Sequence, residues 1–336
     1  MRSPHGYGVY WNTTTLPQAA ALSHPRGFDR PRPHLVYCAR MAKIHLLINP
    51  KAGGGRAGRL LSALQSWAQA HGSADAMCVA NSVPQALDWL RTLPQGATVA
   101  LVGGDGTVNQ MLPAFLERQL RMALVPQGSG NDVARALGVF GMSWQEALQC
   151  AANAAPQAMD VGWLHTAAWQ RPFLSSLTVG FDSAVGFKAL QGPRWLRGLP
   201  RYLLATLREL SALQTWDMQV TRDGVLLHRG TTLFASTLNT PTYGSGMPAV
   251  PHARINDGAL DLLVAGRFNA WQTLAMLPRL LMGQHLSHPR VLTRSFQTLE
   301  ITSAQALPLA TDGEYLGECT ALTVQVAAGA LQVLRR

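Results

Sequence analysis

Leu101-Val102-Gly103-Gly104-Asp105-Gly106-Thr107-Val108-Asn109 is the stretch on which the reading of this chain turns. The apolar run Thr98 to Val102 predicts a buried strand, which breaks into Gly-Gly-Asp-Gly-Thr and gives way to a helix from about Val108. A strand, a glycine turn and a helix N-terminus make an anion site. Glycines take positive φ and let the backbone pass close to a ligand. The first N–H groups of the helix lack internal partners and lie at the positive end of the dipole. A phosphate is the natural guest. Asp105 then stands out, because a carboxylate repels a phosphate unless a divalent cation sits between them, directly or through water. The stretch suggests nucleotide with Mg²⁺. A tight strand-to-helix turn with Asp105 as N-cap accounts for it as well.

Two more glycine loops flank this one. Lys43–Asn49 reads as a strand running into Pro50-Lys51-Ala52-Gly53-Gly54-Gly55-Arg56, with backbone amides, Lys51 and Arg56 available to phosphates. This loop has neither the Gly-x-x-x-x-Gly-Lys-Ser/Thr order nor Gly-x-Gly-x-x-Gly. A helix follows, with Leu60, Leu64, Trp67 and Ala68 on one face and Gly72 at its end. Met77–Asn81 is a short strand, and Ser82 caps a helix reaching Leu93. Met122–Val125 is a strand leading to Pro126-Gln127-Gly128-Ser129-Gly130-Asn131-Asp132, where Asn131 or Asp132 caps a helix Val133–Leu137. Ser143 and Glu146 are spaced as a capping box for a helix to about Ala155. Alternating strands and helices imply a parallel sheet covered on both faces, with ligands at the carboxyl ends of its strands.

After about Asp160 the pattern turns β-rich. Phe173–Phe181, Met218–Thr221, Val225–Leu227, Leu233–Leu238, Leu260–Ala265, Gln297–Thr302 and Leu322–Val326 read as strands, and Asp223-Gly224 is a hairpin turn. Helices are expected over roughly Trp195–Leu213 and Ala270–Met282, the second with a possible kink at Pro278. Gly192–Leu213 interleaves Arg194, Arg197, Arg201 and Arg208 with Trp195, Leu199, Tyr202 and Leu203. That suits a helix lying on an anionic bilayer, and it also suits an ordinary helix with one buried face.

Composition sets the class. The 336 residues are 47% hydrophobic and 14% charged, which means a globular chain with room for two cores. No apolar run approaches the ~18 residues of a membrane span, and no apolar leader is recognisable at the N-terminus. Cys38, Cys78, Cys150 and Cys319 are far apart, against a disulfide framework or zinc site and for a reducing compartment. The net charge is +10, of which residues 1–40 supply +4. Residues 1–40 lack periodicity, and we expect either a disordered tail or a start assigned upstream of the true one at Met41. The basic balance suits nucleotide or anionic lipid. No dense Lys/Arg stripe with a reading motif points to nucleic acid.

Asn49-Pro50-x-x-Gly53, Gly103-Gly104-Asp105-Gly106-Thr107 and Pro126-x-Gly128-Ser129-x-Asn131-Asp132-x-Ala134-Arg135 occur in that order. With Val179-Gly180-Phe181-Asp182, Tyr243-Gly244-Ser245-Gly246-Met247, Asn256-Asp257-Gly258-Ala259-Leu260-Asp261 and Asp312-Gly313-Glu314, they resemble the diacylglycerol kinase catalytic-domain family, which includes sphingosine and ceramide kinases. The resemblance runs from about Lys43 to the C-terminus. NAD kinases and phosphofructokinases carry relatives of Gly-Gly-Asp-Gly-Thr, and the later motifs narrow the match to lipid kinases. The family usually has Thr where Ser129 stands, so a hydroxyl is kept. A nucleotide-contacting Thr of some relatives has no clear counterpart around Ala80–Ser82.

The resemblance implies ATP held by Asn49, Gly103, Gly104, Asp105, Gly106, Thr107, Val108, Asn109, Gly128 and Ser129. It also implies a Mg²⁺ site from the carbonyl of Arg254, the carboxylate of Asp257 and the carbonyl of Ala259. From the residues alone, Asn256-Asp257-Gly258 is a turn. The proton acceptor is expected to be Glu314, with Asp312 its neighbour or rival and Asp105 a third candidate. The expected fold is α/β: a Rossmann-like parallel-sheet nucleotide domain, 41–160, followed by an antiparallel β-sandwich domain, 161–336, whose last strand can return to the first. The expected activity is ATP- and Mg²⁺-dependent transfer to a lipid hydroxyl, first of all diacylglycerol, at a membrane surface. A kinase of a soluble acceptor such as NAD, and a nucleotide- or lipid-binding regulator without turnover, are the alternatives. The protein is expected in the cytoplasm, with peripheral contact on the inner membrane face and a homodimer both left open.

Overall fold

A computed structural model describes residues 43–193, 195–196 and 199–336. The expectations for residues 1–40, and for Arg194 and Arg197, fall outside the described residues.

The first lobe alternates strand and helix: β1 (Ile44–Ile48), α1 (Ala52–Arg59), α2 (Leu61–Ala70), β2 (Met77–Val79), α3 (Val83–Thr92), β3 (Thr98–Gly103), α4 (Asp105–Glu117), β4 (Arg121–Pro126), α5 (Asp132–Ala136) and α6 (Trp144–Asn153). Its strands pair in parallel in the order β4-β3-β1-β2. A period of two explains the run of apolar residues. Leu46 and Ile48 of β1, with Ala100 and Val102 of β3, pack on one face, while Leu47, Val99 and Leu101 pack on the other. Both faces are covered, so each strand is apolar along its length. Leu101 is wholly buried, and its truncation to Ala would cost about 2–5 kcal/mol. Ser82 caps α3, and Ser143 with Glu146 forms the capping box of α6.

The second lobe comprises β5 (Gln157–His165), β6 (Gln170–Phe173), β7 (Ser176–Val179), α7 (Phe181–Gln191), α8 (Leu199–Leu210), β8 (Trp216–Arg222), β9 (Val225–Leu238), β10 (Leu260–Gly266), α9 (Ala270–Leu281), β11 (Val291–Phe296), β12 (Thr298–Thr311) and β13 (Glu314–Val333). Its pairings are antiparallel throughout, as expected of a sandwich-like lobe. The end of β13 pairs in parallel with β4, at Gln332 and Val333. One hydrogen-bonded sheet therefore runs through both lobes.

Several local expectations need correction. The strand read over Phe173–Phe181 stops at Val179. Gly180, at φ 89°, turns the chain into α7, and a Cβ there would stand 2.8 Å from the Leu233 carbonyl oxygen. β9 is one strand, not two; polar His228-Arg229-Gly230 hides its continuity. β12 and β13 are also longer than their apolar cores, because Ser303-Ala304-Gln305 lies in a bulge. β5 carries no clear strand signal in the sequence, since Asp160 and Gly162 interrupt its apolar pattern. The helix expected over Trp195–Leu213 is α8, Leu199–Leu210. The helix expected from Val108 begins at Asp105, with extended Gly104 before it.

Candidate functional site

The three glycine loops meet at the carboxyl edge of the parallel strands. A Cβ on Gly104 would lie 2.5 Å from the Gly128 Cα, so the second and third loops touch backbone to backbone. A Cβ on Gly53 would lie 2.0 Å from the Gln127 carbonyl oxygen, which brings the first loop onto the third. Arg56 Nη2 donates to the carbonyls of Gln127 (3.2 Å) and Gly128 (2.6 Å). Arg56, read from sequence as a phosphate ligand, thus braces the third loop. Asn49 Nδ2 donates to Thr107 Oγ1 at 2.9 Å and ties the first loop to the second.

Asp105 neither caps its own helix nor stands free. Its two oxygens accept the amides of Asp132 (3.2 Å) and Val133 (3.1 Å), which open α5. Asn131 stands at the N-cap of α5, one of the two positions the sequence offered, but its side chain makes no cap bond: it is left-handed at φ 59° and turns its amide back to the Gly128 carbonyl. The carboxylate cap comes from another loop. Burial, followed by the nearby charge of Asp132, pushes the Asp105 carboxyl up to about 6. Thr107 and Val108 amides bond to the Gly104 carbonyl, and the Val108 side chain is buried. The amides of Asp105 and Gly106, with no carbonyl one turn back, are the donors this turn can offer an anion.

Asp132 was read only as a cap, yet it fastens the lobes. It accepts Thr242 Oγ1 (2.8 Å), Ser245 N (2.9 Å) and Gly246 N (2.8 Å) from the second lobe, and Arg135 (3.2 Å) from its own helix. A second network lies beside it. Asp312, at the β12–β13 turn, accepts Asn109 Nδ2 (2.8 Å) and the amides of Leu174 (2.9 Å), Ser175 (2.7 Å) and Ser176 (3.0 Å). Each oxygen takes two bonds, which uses the ordinary capacity of a carboxylate. Burial raises its pKa, against those bonds. Glu314 follows two residues later, on the more open side. Arg171 from β6 donates to both Glu314 (2.6 Å) and Asn109 Oδ1 (2.6 Å). Sequence gave no signal for Arg171, which lies outside every motif.

Part of this network borders two openings; Glu314, Arg171 and Asn109 are not among the residues that line either. A cleft of about 280 Å³ is lined by Asp105, Gly106, Ser129, Asp132, Ser175, Ser176, Arg201, Tyr202 and Asp312. A second opening, about 240 Å³, lies against Asn49, Lys51, Ala80 to Val83, Thr107 and Gln110. Ser176, Tyr202, Gly244 and Gly313 also line an apolar cavity of about 80 Å³, walled by Phe181, Val185, Leu203, Met247, Leu277 and Leu280. A further apolar cavity of about 70 Å³ shares Phe181, Asp182, Leu277 and Leu280. Asp182 takes hydroxyl bonds from Ser236 (3.1 Å) and Tyr243 (3.0 Å), and desolvation pushes its carboxyl up to about 6. Polar cleft and apolar cavity share a wall.

Arg254, Asp257 and Ala259 lie in the turn before β10. Asp257 is exposed and accepts the Ala259 amide at 3.2 Å. Buried Asp160 holds this turn by accepting Gly258 N and Gly329 N, at 2.8 and 2.7 Å. None of the three predicted metal ligands lines the cleft. Among the described residues, no group of three or more His, Cys, Asp or Glu is arranged to hold a metal. A Mg²⁺ ion suits one or two carboxylates completed by carbonyls, phosphate and water. Asp105 offers one carboxylate at the cleft, and Asp257 offers one in the turn before β10.

The diacylglycerol kinase catalytic domain matches residues 43–164, and a YegS C-terminal NAD kinase beta sandwich-like domain matches residues 175–335. The chain belongs to the diacylglycerol kinase catalytic-domain family. It is 28% identical over 238 residues to a diacylglycerol kinase of Mycobacterium tuberculosis, covering 70% of this chain and 76% of that one. It is 24% identical over 221 residues to a diacylglycerol kinase of Bacillus subtilis, covering 65% and 71%. A crystal structure of a diacylglycerol kinase from Bacillus anthracis superposes with a TM-score of 0.67 at 19% identity, over 88% of this chain and 97% of that one. Membership makes the chain a nucleotide-using kinase of the lipid-kinase type, with a parallel-stranded first lobe and a sandwich-like second lobe. Among the described residues no helix is long and apolar enough to cross a membrane.

Proposed function

We propose that this family member transfers the γ-phosphoryl group of ATP, with Mg²⁺, to the hydroxyl of a membrane lipid, diacylglycerol first. The observation that carries the proposal is the wall shared by the polar cleft and the apolar cavity at Ser176, Tyr202, Gly244 and Gly313. A lipid alcohol needs both: water-facing polar groups at its hydroxyl and a greasy space for its chains.

Each residue has a task in this reading. The opening at Asn49, Ala80 to Val83 and Thr107 receives the nucleoside. Phosphates run along the Asp105 and Gly106 amides toward Ser129. Mg²⁺ supplies charge neutralisation on the transferring phosphoryl group. Asp105, whose ionisation is disfavoured by burial and by Asp132, is the carboxylate that gains most from a nearby dication. Asp257, with the Arg254 and Ala259 carbonyls, is a second place for Mg²⁺, where it would stiffen the turn above β10. Asp312 is saturated with four donors, and we assign it to positioning: it fixes Asn109 and the 174–176 backbone. Glu314 is oriented by Arg171 and keeps an oxygen free, so it accepts the proton of the attacking hydroxyl. Tyr202 stands at the wall between cleft and cavity. Burial first, then Asp132 and Asp105, raise its pKa, so the phenol remains a donor toward the lipid head.

The test is transfer from γ-labelled ATP, with Mg²⁺, to a total lipid extract in mixed micelles, resolved by chromatography. A labelled lipid supports the proposal, and comigration with phosphatidic acid supports diacylglycerol as acceptor. Labelled NADP from added NAD, with no labelled lipid, refutes it in favour of a soluble acceptor. ATP binding with no labelled product refutes it in favour of a regulator.

A further inference from the structure

Tyr243 and Met247 exchange backbone bonds, each amide donating to the other's carbonyl at 3.0 and 2.9 Å, and so close a three-residue loop over Gly244-Ser245-Gly246. All three loop residues are left-handed, at φ 58°, 78° and 97°. Glycine takes that conformation freely. Serine does not, because its Cβ crowds the following carbonyl oxygen. Strain of this kind persists only where the surroundings hold it. Here they do: Ser245 N and Gly246 N donate to the two oxygens of Asp132, at 2.9 and 2.8 Å, and the Tyr243 hydroxyl is anchored on Asp182 at 3.0 Å. None of these bonds uses the serine side chain. A glycine at 245 would donate the same amide and relax the backbone, so the fold gains nothing from a side chain there. Among the described residues, no hydrogen bond ties Ser245 Oγ to the protein, and the half-buried residue lines the polar cleft.

The place of that hydroxyl is specific. A Cβ built on Gly130 of the third glycine loop would lie 2.8 Å from Asp105 Oδ2 and 3.5 Å from Ser245 Oγ. The hydroxyl therefore reaches the third loop from the second lobe, at the residue next to Ser129. Gly244, one residue earlier, lies on the wall that the cleft shares with the apolar cavity. Ser245 thus stands between the loops along which the phosphates run in the proposed reading and the wall at which the lipid head enters. Of a triphosphate, the terminal group is the one that has to come to that junction, because it is the one transferred. Charge also favours a hydroxyl there. Asp105, Asp132 and Asp312 already line the cleft, and a further carboxylate would repel phosphate. A hydroxyl adds a neutral donor, and its bond to an ionised oxygen is stronger than one between neutral groups.

We infer that Ser245 contacts the transferring γ-phosphoryl group: its hydroxyl donates to a terminal oxygen of that group and holds it toward the acceptor. No bond to Ser245 is made or broken, and the acceptor's proton still goes to Glu314. The inference rests on the proposed reading for the donor, ATP, and not for the acceptor.

The experiment is calorimetry, with Mg²⁺ and without lipid, of ADP and of the β,γ-imido analogue of ATP binding to wild type, Ser245→Gly and Ser245→Ala. Ser245→Gly keeps the loop amides and relaxes the backbone, while it frees the unfolded chain. Its Tm is therefore expected within about 3 °C of wild type. Both variants are expected to bind the analogue about tenfold more weakly, the loss of one hydrogen bond to a charged oxygen, and to bind ADP within about twofold of wild type. In the mixed-micelle assay kcat should fall about tenfold in both, with the KM for lipid unchanged. An unchanged Kd for the analogue overturns the inference, as does equal loss on both nucleotides. Affinity lost in Ser245→Ala but kept in Ser245→Gly overturns it too, since the effect then belongs to the backbone. A raised KM for lipid with nucleotide binding intact also overturns it and gives the hydroxyl to the acceptor. A wild type that binds neither nucleotide refutes the inference together with the nucleotide half of the proposed reading. The expected nucleotide pattern with no labelled lipid refutes the lipid acceptor alone and leaves the assignment of Ser245 standing.

Discussion

Asp105 costs the protein stability as pH rises to neutral, and Asp105→Asn should remove that pH dependence. Its carboxyl is pushed from the ordinary 3.8 to about 6, chiefly by burial and then by Asp132. A carboxyl whose folded pKa is raised binds a proton on folding. Its contribution is therefore fully present below pH 4, is lost as pH rises through about 6, and stays lost above pH 7. About two units at about 1.4 kcal/mol each give about 3 kcal/mol. The two amide bonds from Asp132 and Val133 are already part of that shift, because they act against it. Asparagine does not ionise, so it removes the pH dependence, but its NH2 cannot accept, and one of the amides of Asp132 and Val133 loses its partner at every pH.

The assay is thermal unfolding of wild type and Asp105→Asn from pH 4.5 to 8. The difference in Tm should favour the wild type at the acid end, where only the lost amide bond counts. It should move toward the variant by roughly 6 °C through pH 6 and level off above pH 7. Taking the difference cancels the other titrating groups that both proteins share. Mg²⁺ should raise the wild-type Tm at pH 8 by more than it raises the variant's, since a dication relieves the cost at Asp105 in the wild type while the Asp257 turn is common to both. A difference in Tm independent of pH, or one that turns against the variant as pH rises, would refute the reasoning. Phosphoryl transfer by the variant should be abolished although it stays folded.

Three other substitutions separate the tasks at the site. Glu314→Gln should remove transfer while leaving ATP binding by calorimetry within about twofold; near-normal turnover would exclude it as proton acceptor. Arg56→Ala releases the Gln127 and Gly128 carbonyls, and loss of that brace should raise the KM for ATP about tenfold with the lipid KM unchanged. Tyr202→Phe removes one donor at the shared wall; the KM for lipid should rise about fivefold and the KM for ATP should hold. The opposite split in either of the last two would reverse the placement of those residues.

What the sequence made legible was whatever local geometry dictates. The apolar runs before Asn49, Gly103 and Pro126 specify buried parallel strands, and the glycines after them specify close approach, so the first lobe could be read almost element by element. Ser82 and Ser143 could be read as caps because a cap is a matter of three residues. Long-range partners could not be read. Asp105 and Asn131 each look like local caps, and no spacing rule reveals that Asp105 caps α5, 27 residues on. Arg171 has no motif, and its role exists only because β6 passes Asn109 and Glu314. In the second lobe, strands continue through Gly230 and the 303–305 bulge because they are paired on both sides, which alternation within a strand cannot convey.

The two carboxylate networks explain why the site sits at a seam. Asp132 gathers donors from the 242–246 loop, and Asp312 gathers the 174–176 backbone together with Asn109 of α4. Each network spans both lobes, and β13 runs from one to the other through a continuous sheet. A cleft held this way is preorganised: its donors are aimed before any ligand arrives, which lowers the ordering cost of binding. The same construction concentrates three acids, Asp105, Asp132 and Asp312, around one small space, and two of them ionise with difficulty. That excess of acid is unfavourable in a protein at rest, and under the proposed reaction a bound dication would offset it. The stability lost at Asp105 and the chemistry assigned to it have one cause, the burial of a carboxylate beside another.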